Sequence, residues 1–164
     1  MASTRNATRK ITALMVFAFA GLAYASGSHS DGHDHGTDET AIGKPGTVEK
    51  VNRTITVEMS DDMRYTPSAI QVKKDETVRF IVQNKGRVQH ELSLGTEKDL
   101  LEHLEAMKKY PDMEHDEPGK VTLAPGKQGE MVWQFTKPGV VNFACLVPGH
   151  YEAGMQGSIK VLQK

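Results

Sequence analysis

Only one cysteine, Cys145, occurs in the 164 residues, so no internal disulfide can form. Long apolar runs are equally scarce. The one near the start, Ile11 to Leu22, falls short of the ~20 residues needed to span a bilayer, and no second run follows. Basic charge is not in excess, with 20 Lys and Arg against 21 Asp and Glu. Fixed-period repeats are absent too. Together these absences exclude a disulfide-stapled scaffold, a protein threaded repeatedly through a membrane, a nucleic-acid binder and a solenoid.

What flanks the early apolar run gives it a meaning. Arg5, Arg9 and Lys10 precede it, and Ala23-Tyr24-Ala25 follows as a small-x-small cleavage site. Residues 1–25 therefore read as an export signal removed after Ala25. No cysteine stands at the cleavage point to carry a lipid. The expected mature chain is a soluble periplasmic protein that does not insert in the membrane. It keeps 139 residues, enough for one domain. Its charge is about −4, because the leader takes three basic residues and no acidic one. In an oxidising compartment a lone thiol needs protection, either as a buried inert side chain or as a metal-bound thiolate.

Residues 26–46 are polar, contain SHSDGHDHG and lack the apolar side chains to fold. From Thr47 to Lys164 short alternating runs are broken by turn residues, which predicts an all-β, antiparallel Greek-key sandwich or barrel of about seven strands. Arg53, Ile55, Val57 and Met59 share one face, as do Val78, Phe80 and Val82. Beyond the turn at Asn84-Lys85-Gly86, alternation places Val88, His90, Leu92 and Leu94 inward and Gln89, Glu91 and Ser93 on the opposite face. One short helix is inserted. Thr96 caps it with Asp99 three residues on, Leu100, Leu104 and Met107 recur at helical spacing, and Pro111 limits it. Strands at Val121 to Leu123, Met131 to Phe135, Val141 to Cys145 and Ile159 to Val161 complete the domain.

The chemistry concentrates in Cys145-Leu-Val-Pro-Gly-His150-Tyr-Glu-Ala-Gly-Met155, where thiolate, imidazole and thioether recur at five-residue steps between two strands. Such a loop wraps one metal ion, and the inward-facing His90 supplies a second imidazole. Two nitrogens, one strong sulfur and one weak sulfur suit copper, which alternates between a sulfur-favouring Cu(I) and a nitrogen-favouring Cu(II). Zinc accepts Cys and His as well, but binds less tightly and gains little from a thioether. Alone, His90 would pass for a satisfied core histidine and Met155 for packing; their combination carries the reading.

Other donors are spread along the chain. His29, His33 and His35 offer imidazoles for additional weakly bound copper or zinc, or form a solvated linker. Met107, Met113 and His115, with Met59 and Met63, offer soft Cu(I) donors or serve packing and loop chemistry. His103 falls within the helix as a surface or packing residue.

From roughly Thr47 to Lys164 the chain resembles the cupredoxins, the family of plastocyanin and azurin. The segments GRVQHELSLG, PDMEHDEPG, WQFTKPG and FACLVPGHYEAGMQG are similar to periplasmic cupredoxins linked to bacterial copper tolerance. The resemblance implies one type 1 copper held by His90, Cys145 and His150, with Met155 as a weak axial ligand. It also implies electron entry near His150 through a rim of Pro148, Gly149, Tyr151 and Met155. Many members carry Asn after the first His, bracing the two ligand loops. Here Glu91 occupies that position, with a backbone N–H still placed to reach the Cys145 sulfur, and the change alters the hydrogen bonds that tune colour and potential.

The expected function is copper tolerance through binding, oxidising or passing on copper or electrons, working as a monomer with a periplasmic redox or copper-transfer partner. A respiratory electron shuttle is the alternative. An enzyme is not expected: no general base, nucleophile or open substrate position is evident, and the one His-x-His, His33-Asp34-His35, precedes the domain.

Overall fold

The structure is a computed structural model that describes residues 39–110 and 117–163. The leader 1–25, His29, His33, His35, Met113 and His115 lie outside the described residues.

Period-two burial builds the walls of the domain. β2 (Arg53–Ser60) buries Val57 and Met59 while Thr56 and Glu58 face water. β5 (Glu76–Asn84) buries Val78, Phe80 and Val82, and β8 (Gln128–Phe135) buries Met131, Trp133 and Phe135. With β1 (Lys44–Pro45) and β3 (Arg64–Thr66) they form one sheet in the order β1-β8-β5-β2-β3. The second sheet runs β4-β10-β9-β6-β7, from β4 (Ala69–Lys73), β6 (His90–Gly95), β7 (Lys120–Leu123), β9 (Gly139–Ala144) and β10 (Gln156–Leu162). Apolar faces of both sheets meet in one core, giving the expected β-sandwich, with one α-helix among the described residues.

Three observations correct the sequence reading. Besides the seven expected strands there are β1, β3 and β4; the first two are too short to display alternation, and β4 hides behind Tyr65-Thr66-Pro67, which resembles a plain connection. The pairing is not wholly antiparallel, because β2 pairs with β5 and β4 with β10 in parallel. After β3 the chain crosses to the other sheet as β4 and then returns as β5, which provides the crossover that parallel neighbours need. Finally, part of the stretch 26–46, expected to lack folded structure, belongs to the sheet: Lys44 and Pro45 pair with Gln134 and Trp133. The reason is the buried Trp133 indole, whose N–H needs an acceptor and donates to the Ile42 carbonyl at 3.0 Å. Gly43 allows this approach, since a Cβ there would lie 2.1 Å from the Gln134 carbonyl oxygen.

The helix α1 (Glu97–Lys109) starts with a reciprocal cap: Thr96 Oγ1 accepts the Asp99 N–H and the Asp99 carboxylate accepts the Thr96 N–H, both at 3.2 Å. Leu100 and Leu104 pack with Ala144 and Leu146 into a second apolar cluster on the outer side of β6 and β9. The polar face of β6 is therefore buried as well, including Glu91 and Ser93, while Val88 lies ahead of the strand and is exposed. Among the described residues no helix is long and apolar enough to cross a membrane.

Candidate metal centre

Three chain segments meet at one end of the sandwich. His90 opens β6 and is fully buried; Cys145 follows β9 and is fully buried; His150 lies in the loop leading to β10 and is half-buried. One potential ligand atom from each falls within 4.8 Å of the others. The two imidazoles face each other through Nδ1 at 3.2 Å, and Cys145 Sγ lies 3.3 Å from His150 Nδ1. Metal–nitrogen bonds of about 2.0 Å and a metal–sulfur bond of about 2.3 Å, at near-tetrahedral angles, separate donors by about 3.3 to 3.6 Å. The donor set fits a single transition-metal ion.

The ligand loop holds its shape through its own backbone. His150 N–H donates to Val147 O at 3.0 Å, Ala153 N–H to Gly149 O at 3.1 Å and Met155 N–H to His150 O at 3.0 Å. Gly149 supplies a φ of +87°, which a side chain would strain. Cys145 N–H closes the loop by donating to Met155 O at 3.1 Å. Two outside contacts fix the loop to the domain: Arg64 donates to Ala153 O at 2.9 Å, and Lys108 on α1 pairs with Glu152 at 3.0 Å.

Burial pushes the Cys145 thiol up to about 11, against a pull from the backbone N–H of Glu91, which reaches the sulfur at 3.4 Å. Burial, and then the neighbouring His90, lower the His150 pKa, so its imidazole is neutral and ready to ligate at neutral pH. Taking up a metal therefore displaces the thiol proton.

Met155 is fully buried beside Cys145 in the core cluster. It is not part of an exposed rim, which corrects that expectation. Pro148 and Gly149 are exposed and Tyr151 is half-buried. Met59 is packed inside the sandwich, Met63 lies against it, and Met107 is half-buried on α1. His103 is half-buried with Nδ1 3.6 Å from a Glu117 carboxylate oxygen.

One residue missed in the sequence is Asp61, in the turn after β2. Its Oδ1 lies 3.1 Å from His90 Nε2, and its carboxylate accepts the Arg87 N–H at 2.7 and 2.9 Å and the Val88 N–H at 3.4 Å. The Arg87 N–H above all, then His90 and the Val88 N–H, hold its carboxyl below the usual range. Accepting the Nε2 proton leaves Nδ1 as the lone-pair nitrogen that faces the site, the arrangement by which an outer carboxylate orients a metal-binding histidine. An acidic turn 29 residues from His90 gives no signal by spacing. Asp61→Ala is expected to lower copper affinity by about 10- to 100-fold in competition with a chelator. An unchanged affinity would show that His90 is oriented without this carboxylate.

Two imidazoles and a cysteine converging at one end of a two-sheet sandwich define a β-protein with a mononuclear metal centre. The family model of copper binding proteins, plastocyanin/azurin family, matches residues 51–162. The chain belongs to that family, and its cofactor is copper at one type 1 site. It is 48% identical over 149 residues to the copper-resistant cuproprotein CopI of Rubrivivax gelatinosus, covering 87% of this chain and 90% of that one. Identity to the protein of the same name from Vibrio cholerae is 39% over 121 residues, covering 73% of this chain and 72% of that one. For the one from Pseudomonas aeruginosa it is 34% over 172 residues, covering 87% and 90%. Among solved structures, auracyanin B shares the fold with a TM-score of 0.61 at 23% identity, covering 72% of this chain and 94% of that one. The reduced auracyanin of Roseiflexus castenholzii does so with a TM-score of 0.59 at 21% identity, covering 68% and 98%.

Proposed function

We propose that this chain is a periplasmic, non-enzymatic copper protein that contributes to copper tolerance by binding copper and exchanging copper or single electrons with a protein partner. The observation that carries the reading is the convergence of His90, Cys145 and His150 on one ion-sized space. The relatives support the tolerance role, since three proteins named as copper-resistant cuproproteins match 73% to 87% of the chain.

Each residue has its task. His90, Cys145 and His150 would hold the ion, the first two buried away from water, and Met155, buried at the loop's end, would add a weak thioether donor. When bound, copper supplies one-electron redox chemistry between Cu(I) and Cu(II). His150, half-buried between exposed Pro148 and Gly149 and Tyr151, links the site to the surface where a monomer meets its redox or copper-transfer partner. The leader 1–25 delivers the chain to the periplasm and is removed there.

Growth on copper tests the proposal. A strain lacking the gene is expected to lose tolerance to elevated copper while respiring normally. Unchanged tolerance with a respiratory defect would instead make the protein an electron shuttle.

A further inference from the structure

Glu91 is among the most buried charged residues described, at 3% relative exposure. Carboxylates seldom occupy such a position without partners and a reason. Strand alternation turns its side chain away from that of His90, onto the face of β6 beneath α1. There Oε1 accepts the Leu146 N–H at 2.9 Å and lies 3.3 Å from Ser93 Oγ, and Oε2 lies 3.8 Å from Lys120 Nζ. The Lys120 side chain is itself only 10% exposed, so the ion pair is largely shielded from solvent.

The backbone of the same residue is engaged on both sides. Its N–H reaches the Cys145 sulfur at 3.4 Å, and its carbonyl accepts the Tyr65 hydroxyl at 2.6 Å. One residue thus grips the ligand segment at two successive positions, by a backbone N–H at Cys145 and by a carboxylate at Leu146. Leu146 is fully buried, and without the carboxylate its N–H would lose its acceptor.

The Glu91 carboxylate takes over the bracing role of the Asn found at this position in many family members and holds the Cys145-Leu146 segment in place. From this arrangement, and building on the copper reading of the site, we infer that the exchange of Asn for a carboxylate adds a second effect: the buried negative charge of Glu91 favours Cu(II) over Cu(I). Both effects follow from one placement. A negative charge in the interior, adjacent in sequence to His90 and bonded to the residue after Cys145, opposes the arrival of an electron at the site. Lys120 offsets that charge in part.

Two variants of the full chain separate geometry from charge. Glu91→Gln keeps the shape and an acceptor oxygen but removes the charge. Its Cu(II)-to-Cu(I) ratio at a fixed ambient potential is expected to fall about tenfold, ~59 mV for a one-electron couple. Hydrogen exchange at the Leu146 amide of the metal-free protein should stay within about threefold of the parent. Glu91→Ala removes acceptor and charge together, so the ratio should shift likewise and the Leu146 amide should exchange at least about tenfold faster. A Glu91→Gln ratio within twofold of the parent would overturn the electrostatic effect. Unchanged Leu146 exchange in Glu91→Ala, or an equal loss of protection in Glu91→Gln, would overturn the positioning effect. The amide measurement needs no copper, so failure of the parent protein to bind copper would sink the copper reading separately.

Discussion

Cys145→Ser is expected to eliminate the intense thiolate-to-copper charge-transfer absorption and to weaken copper binding by more than the ~100-fold that loss of an outer partner costs. The reason lies in what the sulfur supplies. A serine hydroxyl stays protonated near neutral pH and is a hard donor, whereas a thiolate is soft and stabilises Cu(I). The substitution should leave the fold intact. Serine is close to cysteine in size, and the bond that anchors this position in the loop runs from the Cys145 backbone N–H to Met155 O. The principal change is that the Glu91 N–H, now 3.4 Å from sulfur, faces an oxygen instead. Absorption spectroscopy of the copper-loaded variant, with unfolding by denaturant as the control for stability, checks both halves. Retention of the absorption band would show that the sulfur does not ligate copper.

The parts of this site legible in the sequence are those with short-range patterns. Cys145, His150 and Met155 fall at equal steps in one loop, and His90 sits on the apolar phase of an alternating strand, so its inward direction follows from the pleat alone. The same alternation places Glu91 on the opposite face, but nothing local says that this face is covered. Its burial comes from α1 and Leu146, whose positions depend on the assembled second sheet. Asp61 was illegible for a related reason: its partnership with His90 exists because the turn after β2 lies beside the turn before β6. The fold shows the same division. β2, β5 and β8 advertise themselves by period-two burial, whereas β1 is two residues long and pairs beside Trp133, whose indole N–H takes its acceptor from Ile42 just ahead of that strand.

The two histidines should differ sharply in how they tolerate removal. In His150→Gly the loop keeps its shape, since the bonds to Val147 and from Met155 use the backbone of residue 150. The lost side chain is half-buried and neighbours the exposed Pro148 and Gly149, so the space it leaves opens toward solvent. Added imidazole is expected to enter that space, complete the donor set and restore most of the copper spectrum. His90→Gly leaves a space of the same size at a fully buried position, behind Asp61 and the start of β6. Imidazole should restore little there, because reaching the metal would require the 85–89 turn to part from Asp61, to which the Arg87 and Val88 N–H groups are bonded. Titrating imidazole into both copper-loaded variants compares them directly. Rescue of the residue 90 variant but not the residue 150 variant would reverse which imidazole faces solvent, and with it the route by which a partner reaches the copper.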